Sequence, residues 1–470
     1  MVGYFTVINY PGRGIVYVVF TVLLNTLLLS GFTKDRIFFD AFIGIFFWLG
    51  FWLKLSLRVA FAGGEFQNPT GAFNGTGGAY DRALLVASCG VSGLLVASLI
   101  RRKYLFKYSK VEGRPRQEMI FRFYKNYRLW ILTSFFFLFV GIAFANVALG
   151  IYQRGCTPRT ILPLGLSGVY TWLLLFGLAS VSAILLDCEF RLKKNAYAVS
   201  VISLFECFFS NVSMLSRGMV LNGGALLLGV DENAKRRSIN PGVRYKLIML
   251  AVFAFLFVSS VFAVNHLRRD LYFSELPSKP TFSLSFMQKS LQSGVSLPRP
   301  VLQAITGIRT LIVDRWVGIE GVMTVSSYSN LGWDLWKRAW QERYLHSGTS
   351  MYDRTFVQDY YSNVDLSKHH FINLPGIVAF FYYPGSFSFL FLAMFCLGFL
   401  AAGIEISIYH LSGANIIFCS LIAQVIASRY AHFGYVPSQS YLLFGAIYLN
   451  VLIFFFSDRF LYRLGGRPIS

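Results

Sequence analysis

Two short runs hold the residues best suited to chemistry. In Gly307-Ile-Arg-Thr-Leu-Ile-Val-Asp-Arg-Trp-Val-Gly-Ile-Glu320, the charged side chains of Arg309, Asp314, Arg315 and Glu320 crowd around Trp316. In Leu215-Ser216-Arg217-Gly218, Arg217 closes an apolar run that also contains Glu206. A third cation, Arg58, ends another apolar run one turn beyond Lys54. A guanidinium is a planar fork of N–H donors matched to phosphate oxygens, so two or three of them can hold a diphosphate without a metal. Proton acceptors are present in Glu320, His346, His369 and His370. Each of these residues also has a plainer reading. Arg58 and Arg217 suit membrane-interface anchors, Glu206 suits an ion pair with another helix, and 309–320 suits a solvated amphipathic face.

What must position them is a membrane bundle. The chain has 470 residues, of which 55% are hydrophobic and only 14% charged, against about 25% charged in soluble domains. Apolar runs of about 20 residues recur, and in lipid only helices and closed barrels satisfy the backbone. The short alternating segments of a barrel are absent, so the fold class is an all-α polytopic membrane protein. The net charge of +21 sits mainly in short inter-helix loops, where it sets topology and meets anionic headgroups, and nucleic acid is not an expected partner. The six cysteines are scattered and predict no structural disulfide.

Apolar segments fall at roughly 14–31, 38–61, 82–100, 129–149, 164–186, 195–215, 218–230, 245–265, 376–402, 413–430 and 438–457, about eleven in all. Residues 101–128 carry ten Lys/Arg against two Glu. The positive-inside rule makes that stretch cytoplasmic, and alternation then puts the other basic turns on the same side. Three parts follow: an N-terminal bundle over 1–265, a polar and aromatic cap on the outer face over 266–370, and C-terminal helices over 371–470. Chemistry is expected at the seam between cap and bundle. Segment 218–230 is short for a crossing at 1.5 Å per residue. Asn373-Leu-Pro-Gly-Ile377 and Tyr382-Tyr-Pro-Gly-Ser386 suit a broken re-entry into the membrane that lines a cavity. There is no Walker A, GxGxxG, HExxH, GxSxG or outer-loop acidic pair, so no metal or cofactor is expected.

Ser216-Arg217-Gly218 at a helix end, a large late outer loop with Arg315-Trp-Val-Gly318, and the Leu374-Pro-Gly376 and Tyr383-Pro-Gly-Ser386 entries together resemble the bacterial O-antigen polymerases of the Wzy type. More broadly, the layout resembles the oligosaccharide polymerase and O-antigen ligase superfamily. The resemblance implies a GT-C-like fold in the bacterial inner membrane with its active site facing the periplasm. It implies a polyprenyl-diphosphate-linked oligosaccharide as donor, a second lipid-linked repeat unit as acceptor, and a chain-length regulator protein as a possible partner. Arg217 and Arg315 would then stabilise the leaving diphosphate with Arg58 and Arg309 in support, and Glu320 or His370 would take the acceptor proton. Trp316, Tyr383, Trp333, Trp336, Trp340 and Tyr residues 344, 352, 360 and 361 would offer flat faces to sugars, or would pack the cap at the membrane interface. A ligase acting on a core-lipid acceptor, and a flippase for lipid-linked glycans, are the competing functions.

Overall fold

The computed structural model describes residues 2–33, 37–104, 108, 118–192, 196–216, 218–237, 242–272, 313–343, 349–358 and 372–464. Among the described residues the protein is all-α, with no strand. Helices α1 (Val2–Asn9), α2 (Gly14–Ser30), α3 (Phe38–Phe61), α4 (Gly77–Tyr104), α5 (Glu118–Leu149), α6 (Pro163–Arg191), α7 (Tyr197–Ser213), α8 (Met219–Arg236) and α9 (Gly242–Tyr272) come first. Within the central segment lie α10 (Ile319–Ser326) and α11 (Trp333–Trp340), followed by α12 (Ile377–Phe381), α13 (Phe387–Leu411), α14 (Ile416–Ala431) and α15 (Ser440–Leu464).

Every segment expected to be apolar and spanning is helical. Seven of them, α3, α4, α5, α6, α9, α13 and α15, are long and apolar enough to cross a bilayer, and α2, α7 and α14 are apolar but shorter. This is an α-helical membrane protein. The stretch expected to be too short, 218–230, belongs to α8, which gains length through a charged end with Lys235 and Arg236 in its last turn. The bundle is built around α3, whose apolar window is 72% buried against 22% for the window in α15.

The two ends of α3 are held by different chemistry. At its start, Glu405 from α13 accepts the backbone N–H groups of Phe38 and Phe39, each at 2.9 Å, and also the Tyr108 hydroxyl. A carboxylate there satisfies two orphan donors and complements the helix dipole. Asp40 pairs with Arg101 and Arg102 of α4, and Asp187 takes Arg191 and Arg237 at 2.8 Å each. The basic residues that the charge pattern assigns to one side therefore cluster at one end of the bundle. Glu206, expected to pair with another helix, instead accepts from Ser210 Oγ on its own helix at 2.8 Å.

At the opposite end the expected cap is partly inside the bundle. All eight residues of α10 are buried, and the helix packs against α4, α12 and the wide π-helical turn Trp48–Leu53 of α3. Three glycines make this approach possible. A Cβ on Gly50 would lie 2.3 Å from the Val317 carbonyl oxygen, one on Gly318 would lie 2.6 Å from that of Gly50, and one on Gly321 would lie 2.0 Å from that of Pro375. Helix α11 lies over α12, with Trp340 edge-on to Phe380 at 5.3 Å and Trp336 edge-on to Phe389 at 5.3 Å. Overpacking of a fixed backbone contact costs about 1–3 kcal/mol or more. Gly321→Ala should therefore lower the thermal midpoint in detergent by several degrees, while Gly445→Ala, whose added methyl meets nothing within 4 Å, should leave it unchanged.

Candidate functional site

Lys54, at the end of the π-helical turn, is fully buried rather than extended to the interface. Its ammonium donates to the carbonyls of Asp314 (2.9 Å) and Trp316 (2.6 Å) and to Glu320 Oε2 (2.7 Å). Three donors meet three acceptors, which is what a buried ammonium needs to offset its lost hydration. One turn on, Arg58 pairs with Asp314, and Asn68 Nδ2 donates to Glu320 Oε2 at 2.7 Å. The chain from 314 to 320 is thus fastened on both sides of Arg315, whose own backbone runs between the two carbonyls that Lys54 grips.

Arg315 stands between two cavities. The first, about 390 Å³, is polar and includes Gln67, Asn68, Asp314, Glu320, Tyr352 and Asn373 in its lining. The second, about 870 Å³, has arginines from three elements in its wall: Arg154 from the loop after α5, Arg315, and Arg429 of α14. No Asp or Glu is among the described residues lining it, and Trp172, Phe176, Leu442 and Leu443 give it an apolar side. Arg429 Nε is buried without a hydrogen-bond partner. Arg315, Leu374 and His432 line both cavities.

Local structure explains this placement. The Met214 carbonyl accepts the Arg154 N–H at 2.9 Å, which brings the loop after α5 against the end of α7. Ser216 N–H bonds the Asn211 carbonyl at 2.8 Å and Gly218 N–H bonds Ser216 Oγ at 3.1 Å, forming the turn into α8. A Cβ on Gly218 would lie 3.9 Å from an Nη of Arg315, so the Ser216 to Gly218 motif abuts Arg315. Gly376, at φ +79°, donates its N–H to the Phe433 carbonyl at 2.9 Å, and the Pro375 ring fills the space where Gly434 would carry a Cβ. Leu374 and His432, each next in sequence to a residue of this contact, line both cavities. The π-helical turn Leu173–Gly177 of α6 redirects the Leu175 carbonyl to Asn222 Nδ2 at 2.8 Å, closing the wall of the larger cavity.

His432 is the titratable group at the junction. Its Nδ1 lies 2.9 Å from the Ser428 carbonyl. A carbonyl only accepts, so the proton sits on Nδ1 and Nε2 is left as an acceptor. Burial pushes the imidazole down to about 4, against the pull of that carbonyl, and the charges of Arg315, Arg154 and Lys54 push the same way.

Of the residues expected from sequence, Arg315, Glu320 and Trp316 come together here. Trp316 lines the larger cavity while its ring stacks on Phe46 at 5.6 Å. Arg58 is neutralised by Asp314 and lines neither cavity. Tyr383 is buried in the core against Phe356 and Phe380 and lines neither cavity, while Trp336 and Trp340 pack on Phe380 and Trp333 on Phe389. Tyr352 lines the smaller cavity. Arg217, Arg309, His346, His369 and His370, with Tyr residues 344, 360 and 361, lie outside the described residues. Arg154, Arg429 and His432 are additions. Gln424, Ser428 and His432 recur at four-residue spacing with Arg429 beside them, a polar stripe in an apolar helix that was legible in the sequence. No family model, curated protein or solved structure matches the chain.

Removing one partner of a buried ion pair costs about 3–5 kcal/mol, because the other charge is left without compensation. Lys54→Met and Glu320→Gln should each lower the unfolding midpoint sharply, and the double variant should recover part of the loss. A double variant as unstable as the sum of the singles would show that the two side chains are not coupled.

Proposed function

We propose that this protein is a metal-independent glycosyltransferase of the bacterial inner membrane that polymerises polyprenyl-diphosphate-linked oligosaccharides at the periplasmic face. In this reading the chain crosses the membrane about eleven times in a GT-C-like fold, and residues 266–370 lie on the periplasmic side. The larger cavity carries the reading. Guanidinium groups from three elements meet in its wall and suit a diphosphate, and the apolar side beside them suits a polyprenyl chain.

The chemistry then follows from positions. Cleavage of the donor's glycosyl–phosphate bond develops negative charge on the diphosphate, and cations fixed in advance at that point lower the barrier. Arg315, Arg154 and Arg429 take this role. The acceptor hydroxyl oxygen bonds to the donor's anomeric carbon while its proton passes to Nε2 of His432. The anomeric carbon–oxygen bond breaks, and polyprenyl diphosphate departs with the electron pair. Glu320 is a weaker candidate for the base than sequence alone suggests, because Lys54 and Asn68 occupy its carboxylate.

The test is a glycan ladder from purified protein in nanodiscs with a synthetic polyprenyl-diphosphate repeat unit and EDTA. Arg315→Ala and Arg429→Ala should each reduce kcat/KM by about 10²–10³-fold, and His432→Ala by about 10²–10⁴-fold, with folding intact. Wild-type kcat/KM should hold through neutral pH and fall as pH drops towards about 4, where the His432 acceptor becomes protonated. A product that forms only when a core-lipid acceptor is added would convert the reading to a ligase. Absence of transfer to either acceptor would overturn it.

A further inference from the structure

We infer that the smaller cavity is a binding subsite for a neutral, hydroxyl-rich sugar ring, separate from the cationic cavity and joined to it at Arg315 and His432. This rests on the proposed glycosyl transfer for its role as the acceptor's place, and on the cavity's own chemistry for its ligand. At about 390 Å³ it lies within the usual range of about 300–1,000 Å³ for small-molecule sites. Its wall is mainly amide, carboxylate and phenol, contributed by Gln67, Asn68, Asn373, Asp314, Glu320 and Tyr352, with Arg315 and His432 at the junction with the larger cavity.

The charges there are arranged in depth. Lys54 and Arg58, which neutralise Glu320 and Asp314, are buried behind them and line no part of the cavity. Both carboxylates line the cavity, and their cationic partners do not. Glu320 Oε2 is occupied by Lys54 and Asn68, whereas Oε1 has only the Asn68 N–H at 3.4 Å. Arg58 engages Asp314 through Oδ1. Spare carboxylate acceptors beside amides are complementary to sugar hydroxyls, which bring donors of their own. A uronic acid seated on the side of Asp314 and Glu320, away from Arg315, would place a third carboxylate beside two, so that part of the wall selects against acidic rings. An acceptor hydroxyl reaching from this cavity towards Leu374 would arrive at His432, the group shared with the cationic cavity.

Binding is measured without lipid-linked substrates. Full-length protein in nanodiscs is titrated with methyl β-D-glucoside, methyl N-acetyl-β-D-glucosaminide and methyl β-D-glucuronide by saturation-transfer NMR, and with farnesyl diphosphate as the probe of the larger cavity. At least one neutral glycoside should bind, with the glucuronide weaker by about tenfold or more. Gln67→Trp, an exposed position at the rim, should abolish the neutral signal and leave farnesyl diphosphate affinity unchanged. The inference fails if wild type binds neither neutral glycoside, if the glucuronide binds as well as they do, or if Gln67→Trp leaves the neutral signal intact in protein that still binds farnesyl diphosphate. Loss of farnesyl diphosphate binding in wild type, with sugar binding retained, would sink the donor assignment alone.

Discussion

The structure depends on one buried ammonium. Lys54 sits in the C-terminal half of the most enclosed of the candidate spanning helices, where an unpaired charge would be prohibitively costly. It is tolerated because two backbone carbonyls and Glu320 converge on it from a segment 260 residues and more away in sequence. The converse holds equally. The chain from 315 to 318 is an irregular stretch packed on a membrane bundle, and irregular backbone there requires partners for its polar groups. Lys54 supplies them, Gly50 and Gly318 permit the approach, and α10 can then continue as a buried helix. Removing either side leaves the other without a solution, so the docked segment and the turn of α3 specify each other.

From this contact follows the distribution of charge around Arg315. The described carboxylates near it, Asp314 and Glu320, are drawn towards α3 by Arg58 and Lys54. None is left to face the larger cavity, whose charged lining is therefore arginine only among the described residues. A cationic site in a chain with 22 acidic residues is not explained by basic composition. It is explained by where the acids are held. Fixing Arg315 through its neighbours' carbonyls also means its position is set before any ligand arrives, the condition under which electrostatic stabilisation is most effective.

Much of this was legible in the sequence. Hydropathy located every long helix, because lipid imposes one length and one polarity on a spanning segment. Ser216-Arg217-Gly218, Arg315 to Gly318 and Leu374-Pro-Gly376 were recognisable as unusual, and their glycines do mark close backbone approaches or turns. Less accessible were the pairings. Nothing local to Arg58 says that Asp314 will neutralise it, and nothing local to Tyr383 distinguishes a sugar platform from a core aromatic. Both outcomes are decided by tertiary contacts. Arg154, Arg429 and His432 are hard to single out in the sequence for a different reason: Arg429 and His432 close an apolar helix and Arg154 sits in a short loop, places where polar residues ordinarily serve as interface anchors.

The stripe and the central segment meet through backbone rather than through charge. Pro375-Gly376 packs on Phe433-Gly434, with one N–H to carbonyl bond and a proline ring in the space that a side chain on Gly434 would need. On the side of α10, Gly321 meets the Pro375 carbonyl. Lys54 anchors the segment before α10 and pairs with Glu320 in its first turn, so displacement of α10 would disturb both contacts together. Glu320 and Gly321 are consecutive residues of one short helix, and the geometry of the junction lined by Arg315 and His432 is a property of how that helix docks.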